Sequence, residues 1–332
     1  VAEDDSIEGD MQRVIPTVTY AASVNDLSNY EVDEISFEDN YAKDTENSIK
    51  ANLSKTFAED PYLSEIKAGV KYRTRTKTVD SNISIYDGNF DDMDPTQFAA
   101  SDVDWGLGDF GPGLNRGEMR AYFNQNRSTL ELAELDSELE SNGASYETNE
   151  DIFAAYMMST FDINDLHIVA GVRYEKTDFD TSGMRVELVE DEQNDVEEVV
   201  NTPWQSDRSY DHFLPSINVK YNVSEQLIVR GAYTQTISRP GFEQSAAFQI
   251  IESKTEEDDG VFVTEREAEV GNPQLLPYES DNFDLSVEYY PGQIGVLSAG
   301  LFYKQIDNFV IYADVAGTQG WEGYDEVIQP HN

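Results

Sequence analysis

Apolar and polar side chains alternate with a period of two along this 332-residue chain, in paired segments joined by short breaks. In "FDLSVEYYPGQIGVLSAGLFYK", Phe283, Leu285, Val287 and Tyr289 share one face of an extended chain, and Asp284, Ser286 and Glu288 take the other. After the Pro291-Gly292 turn, Leu297, Ala299, Leu301 and Tyr303 repeat the apolar face, so the stretch predicts a β-hairpin. The pattern recurs in "NSIKANLSKTF" with "IKAGVKYRTRTK", in "DIFAAYMMSTF" with "LHIVAGVRYE", and in "PSINVKY" with "LIVRGAYTQT". "RVIPTVTYA" reads as the return strand of an earlier pair, which brings the expectation to about nine strands.

The connections alternate too. Breaks within pairs are about four to six residues long, whereas those between pairs run from Val79 to about Glu150, from about Asp180 to Tyr210 and from Ser238 to about Asp281. All long connections therefore fall on one rim and all short turns on the other. This predicts an all-β fold, an antiparallel transmembrane β-barrel or part of one, with long extracellular loops and short periplasmic turns. Strands of about ten residues suit a tilted crossing of a bilayer. Tyr72, Tyr174, Tyr221, Tyr233, Tyr289 and Tyr303 fall near expected strand ends, where an amphipathic ring at the headgroup level is favoured.

Composition narrows the partners. With 66 acidic and 22 basic side chains, the formal charge of -44 repels phosphate backbones, so nucleic acid is excluded. The absence of cysteine excludes disulfides and thiolate metal sites. No run is long and apolar enough for a spanning helix. Basic residues concentrate on the polar faces of strands (Lys50, Lys67, Lys71, Arg73, Arg75, Arg173), while acids crowd "VELVEDEQNDVEEVV" and "ESKTEEDDG", read as loops.

Other chemistry is weak. Gly106, Gly108 and Gly111 of "GLGDFGPG" match a dinucleotide fingerprint only in spacing, since Pro112-Gly113 follows where a helix must open. Asp91, Asp92 and Asp94 offer oxygen ligands for calcium but lack an EF-hand loop, and read as a solvated acidic segment. His167, His212 and His331 have no paired spacing, so no metal or cofactor is expected. Leu132, Leu135 and Leu139 lie at helical spacing in the longest connection. The rival to the barrel is a soluble or surface-anchored acidic β-protein, such as a calcium-dependent adhesion module, whose apolar faces would pack on one another.

"GNPQLLPYESDNFDLSVEYY" with "LFYKQIDNFV", preceded by "GAYTQTISRPGFEQ", resembles the C-terminal barrel portion of TonB-dependent outer-membrane receptors, as does "AAYMMSTFDINDLHIVAGVRYEKT". Arg239-Pro240 and Asn272-Pro273 are its most specific blocks. The resemblance implies a barrel of about 22 strands around an N-terminal plug, driven through that plug by the TonB complex in a Gram-negative outer membrane. It makes residues 1–332 a barrel segment, with the plug and the barrel's C-terminus outside this chain. No covalent chemistry is expected, so the chain is not an enzyme. The expected cargo is a scarce solute, an oligosaccharide first and a ferric siderophore next, held by Arg73, Arg75, Arg173, Arg230, Asp284 and Glu288. Trp105, Phe110 and Trp204 would stack on sugar faces, and Arg239 would anchor the third long loop where Pro240 ends strand pairing.

Overall fold

The computed structural model describes residues 8–10, 17–19, 22–90, 93–105, 108–258, 260–292 and 295–332. They divide into two compact units, one of residues 1–39 and 82–138, the other of residues 40–81 and 139–332.

The larger unit is built on a sheet of twelve strands. In chain order these are β1 (Tyr41–Thr56), β2 (Leu63–Asp80), β3 (Tyr146–Ile163), β4 (Leu166–Asp191), β5 (Val196–Asn222), β6 (Leu227–Ser238), β7 (Gln249–Asp258), β8 (Val261–Val270), β9 (Tyr278–Tyr289), β10 (Leu297–Asp307), β11 (Ile311–Asp314) and β12 (Glu326–His331). An antiparallel meander runs β1-β2-β3-β4-β5-β6-β9-β10 and contains all four pairs expected from the alternation.

Register makes the two faces of this meander different. One row aligns Ile66, Ser159, Ala170, Ile217, Tyr233, Phe283 and Tyr303. The next on that face aligns Phe161, Ile168, Val219, Gly231, Leu285 and Leu301. These side chains are not packed on a second layer. Leu53 is 78% exposed, Phe213 66%, Leu285 50% and Leu301 75%, far from the burial that apolar side chains reach in a water-soluble sandwich. The other face is mainly polar, and Phe302 is a conspicuous exception there.

The apolar face has defined limits. Past Tyr72 and Phe153 it becomes Thr74, Asp151, Asp178 and Ser209 in one row, then Thr76, Asn149, Asp180 and Asp207. The band from Leu166 to Tyr174 on β4, about nine residues at ~3.4 Å each along a tilted strand, covers roughly 25 Å, the height of a lipid-facing girdle. Tyr72, Tyr174 and Tyr233 therefore lie inside long strands rather than at strand ends, and mark the edge of the band. The Tyr72 hydroxyl donates to Asp151 at 3.0 Å and the Tyr233 hydroxyl to Asp281 at 2.8 Å, each reaching a carboxylate while its ring stays with the apolar rows.

Two sequence expectations change. The segment Asp180–Tyr210 is not a loop: β4 and β5 continue through it in unbroken register and reverse at residues 192–195. Its acids alternate with valine and leucine, and Val186 and Leu188 are buried, so the stretch has strand periodicity despite its charge. The leucine stripe also splits, because Leu132 belongs to the short strand Glu131–Ala133 and the helix Glu134–Gly143 begins after it. Of "RVIPTVTYA", Thr17–Thr19 pairs with Glu8–Asp10, and Arg13 to Pro16 lie outside the described residues.

Beyond Tyr146, where β3 starts, β4 takes a new neighbour. β7 pairs in parallel with Arg185–Asp191, β8 pairs antiparallel with β7, and β12 and β11 extend the sheet. A buried core of Ile251, Ala268, Val270, Val315 and Val327, with Trp321 and Tyr324 against it, holds this part together.

In the smaller unit, Phe123 of α1 (Arg116–Asn126) is buried between Phe37, stacked at 4.0 Å, and Tyr86, edge-on at 5.1 Å. Asn115 caps α1 by accepting from the Gly117 and Glu118 amides.

Two outcomes are expected for the full receptor refolded into lipid vesicles. Leu285→Arg on the apolar face should cost about 2–4 kcal/mol in urea titrations, whereas Ser298→Arg on the polar face should cost less than about 1 kcal/mol; equal costs would contradict the assignment of faces. The second concerns the turn at residues 57–62, where Asp60 accepts from the Leu63 amide at 2.8 Å and the Tyr62 amide at 2.9 Å, bonds that hold its carboxyl below the ordinary 3.8. A depressed folded-state pKa gives stability that is present above the unfolded value and lost as pH falls through the folded one. The gap in urea midpoint between wild type and Asp60→Asn should thus be constant near neutrality and shrink below about pH 4, and a gap independent of pH would refute this role.

Candidate functional site on the polar face of the sheet

The site begins with small and apolar residues on β3. Ala154 lies between Lys71 of β2 and Glu175 of β4 in register, and Ile152 between Arg73 and Thr177. Long polar side chains thus flank a short floor, and the space left is a hollow of about 210 Å³ lined by Lys71, Arg73, Ile152, Ala154, Arg173, Glu175 and Arg239. Ion pairs fix its walls. Arg73 reaches Glu150 at 2.8 Å and Glu46 at 3.7 Å, Arg173 reaches Glu175 at 2.5 Å, and Arg239 bonds Glu175 at 2.7 Å and lies 3.4 Å from Glu150. The Glu150 side chain is only 5% exposed, so these contacts replace its hydration.

Arg239 follows the last residue of β6 and crosses to β4, donating also to Thr177 Oγ1 at 2.9 Å. The segment after it turns back over the sheet: Ala246 and Ala247 are fully buried, and the Ala247 amide donates to Thr181 Oγ1 at 3.1 Å. Phe242 lies 4.5 Å from the Arg75 guanidinium and stacks on Phe179 at 6.4 Å, and Arg208 lies 4.6 Å from the far ring. Cations and rings thereby alternate across β2, β4 and β5. Burial holds the Arg208 pKa below its ordinary value, and its Nε and Nη1 have no hydrogen-bond partner among the described residues. Asn272 closes the same region, donating to the Pro330 carbonyl at 3.0 Å and accepting from the Gln274 amide at 3.0 Å; Pro273 sits in the turn between them.

A second hollow of about 720 Å³ lies toward the short turns, lined by Asp162, His167, Lys220, Arg230, Asp284 and Ser286 among others. Arg230 is forked onto Glu288 at 2.9 and 3.4 Å. His167 Nδ1 lies 2.6 Å from Asp162, which also bonds the Ser64 hydroxyl.

The sequence-derived residues thus fall in separate places. Arg73, Arg173 and Arg239 meet at the first hollow; Arg230, Asp284 and Glu288 belong to the second. Arg75 is bound to Asp44 and to Phe242 beside the first. Trp204 sits half-buried on the outer part of β5, opposite Gly183, and lines neither hollow. Trp105 and Phe110 are in the strands Ala99–Trp105 and Gly108–Leu114, and their side chains, with Asp91, Asp92 and Gly106, lie outside the described residues. Sequence reasoning missed Glu150, Ala154, Phe179, Arg208 and Phe242. Strand alternation already put Phe179 on the face of Arg173 and Glu175; the others needed the cross-strand register and the path after Arg239.

A sheet with one exposed apolar band edged by tyrosine and one ion-paired, hollowed polar face is the wall of a transmembrane β-barrel. The family model described as TonB dependent receptor-like, beta-barrel, matches residues 5–331, and the chain belongs to that family. It is accordingly an outer-membrane protein of a Gram-negative bacterium, in a family of transporters rather than enzymes. Among the described residues, the apolar face of the meander does not show the packing on a second sheet that a soluble adhesion module requires. Among solved structures, the ferric-catecholate import receptor Fiu from E. coli K12 is similar at 14% identity and a TM-score of 0.47, over 98% of this chain and 38% of that one. The ferric yersiniabactin uptake receptor FyuA from Yersinia pestis is similar at 12% identity and 0.44, over 84% and 31%. The ferric citrate transporter FecA is similar at 13% and 0.40, over 83% and 29%. The chain therefore spans less than half the length of these receptors. No curated protein matches its sequence.

Removing the Arg239 guanidinium takes one donor group from Glu175 and Thr177 and leaves Glu150 with Arg73. Arg239→Met should destabilise the receptor by about 1.5–3 kcal/mol, the worth of hydrogen bonds to charged groups. Arg239→Lys should recover little, because one ammonium cannot reproduce the fork. Full recovery by lysine in urea titrations would refute the bidentate role.

Proposed function

We propose that this chain is barrel wall in an outer-membrane receptor that binds a scarce oligosaccharide and takes it up with energy relayed by the TonB complex through a plug. The observation that carries this reading is the pairing of a lipid-facing apolar band with hollows of about 210 and 720 Å³ on the opposite, charged face. Arg73, Arg173, Arg230, Asp284 and Glu288 would hold hydroxyl groups and charge, Arg75 would brace the upper hollow, and Trp204 with Trp105 and Phe110 would meet sugar rings nearer the long loops. Among the described residues, β1 and β10 each have one unpaired edge in this sheet, and further strands of the receptor would pair with them.

A ferric siderophore is the second reading, favoured by the arginines on the polar face, since many iron chelates are anionic. The two separate by growth. A strain lacking the receptor should lose growth on a dilute oligosaccharide as sole carbon source and keep growth on ferric siderophores as sole iron source. The reverse pattern would move the cargo to the iron chelate. Unchanged growth on every glycan offered would remove the saccharide reading.

A further inference from the structure

We propose that the hollow over Ala154 is an anion subsite, one that takes a carboxylate or sulfate carried on a sugar ring; this rests on the saccharide reading above and narrows its substrate class. The argument is a local charge count. Within and beside the hollow stand Lys50, Lys71, Arg73, Arg173 and Arg239, against Glu46, Glu150 and Glu175. The three carboxylates are taken up by the three arginines. Lys71 and Lys50 are directly opposite each other on the polar face, and neither has a carboxylate partner among the described residues. Lys67, four residues back on the same face of β2, has no carboxylate partner among the described residues either; it lies opposite Ser54 and Met158.

Like charges directly opposite in a sheet destabilise it. In a chain with 66 acidic residues, a lysine pair left facing itself above a hollow is a local excess of positive charge that the fold does not neutralise. An anionic group above Ala154 would neutralise it. Arg73 and Arg173 flank that position with planar guanidinium groups already oriented by Glu150 and Glu175, and Lys71 supplies the uncommitted charge. At about 210 Å³ this hollow is much smaller than the one of about 720 Å³ near the short turns, as suits a subsite for a single group.

The test uses the full-length receptor in detergent, titrated calorimetrically with galactotriose, trigalacturonate and sulfated galactotriose. Wild type should bind at least one acidic trisaccharide about tenfold tighter than the neutral one, with an affinity that falls as salt rises. Whichever acidic probe binds tighter identifies the group. Lys71→Met should abolish that preference, and should raise the urea midpoint of the unliganded protein by relieving the repulsion from Lys50. Ala154→Leu, which fills the floor and removes no charge, should weaken acidic probes as well. Should Lys71→Met keep the full preference, or wild type bind the three probes equally, the anion subsite is wrong and saccharide uptake stands. Failure of all three to bind, with a ferric siderophore binding instead, would overturn the saccharide reading and this subsite with it.

Discussion

The constraint on which this structure depends is that a backbone crossing lipid must satisfy its hydrogen bonds within the protein, which leaves a sheet only the ladder between strands. Once the ladder is fixed, side-chain alternation decides everything about the two faces, since a slip of one residue would exchange them. In the meander the register never slips between β3 and β4, β4 and β5, or β9 and β10. One register shift occurs, between Thr160 and Phe161 where β3 meets β2, next to the short turn. The row from Ile66 to Tyr303 can therefore be apolar at every position but Ser159 while its neighbours on the other face carry arginine and glutamate.

Above the apolar band the same strands obey a different solvent. β4 and β5 continue far past Tyr174 and Phe213, and there both faces need cover that lipid no longer provides. One face receives the segment after Arg239, with Ala247 against Gly183 so closely that any side chain at Gly183 would collide with the Ala247 carbonyl. Further out, β7 takes up the edge that β3 leaves free in a parallel pairing, and with the parallel pairing of β8 and β12 it makes the outer part of the sheet mixed where the meander is antiparallel. Arg239 stands at the junction of these regimes. Its ion pairs join the end of β6 to β3 and β4 across β5, so the start of the long connection is tied to the wall rather than to its own neighbours.

How much of this was legible in the sequence follows from the range of each interaction. The four hairpins were legible because each is local: Phe283 to Tyr289 and Leu297 to Tyr303 alternate within a single window. The outer half of β4 and β5 was not, because Glu187, Glu190 and Asp191 give it the composition of a loop, although Val186 and Leu188 keep strand spacing. At the site, Arg73 and Arg173 are visible as polar-face cations, while Glu150 stands at the end of an expected loop and its meeting with both Arg73 and Arg239 depends on pairings 77 residues apart or more. Phe37 and Phe123 stack across a similar gap, and nothing in either local window signals it.

A strongly acidic protein that keeps a cationic patch on its inner face poses a problem of range. At physiological salt the field of an exposed charge decays over about 8 Å, so the acids on the outer β4–β5 extension and along β7 and β8 act on what approaches the rim and hardly at all on what already lies over Ala154. There the nearest charges decide, and Glu46, Glu150 and Glu175 are spent on arginines. On the anion-subsite proposal, the rim would discriminate against densely charged anions during approach, and the hollow would favour a single anionic group after arrival. A mostly neutral ligand with sparse negative charge would pass both conditions, whereas a polyanion would fail the first and a cation the second. It would then be the order of the two fields along the entry path, and not the net charge of the chain, that sets which solutes such a wall admits.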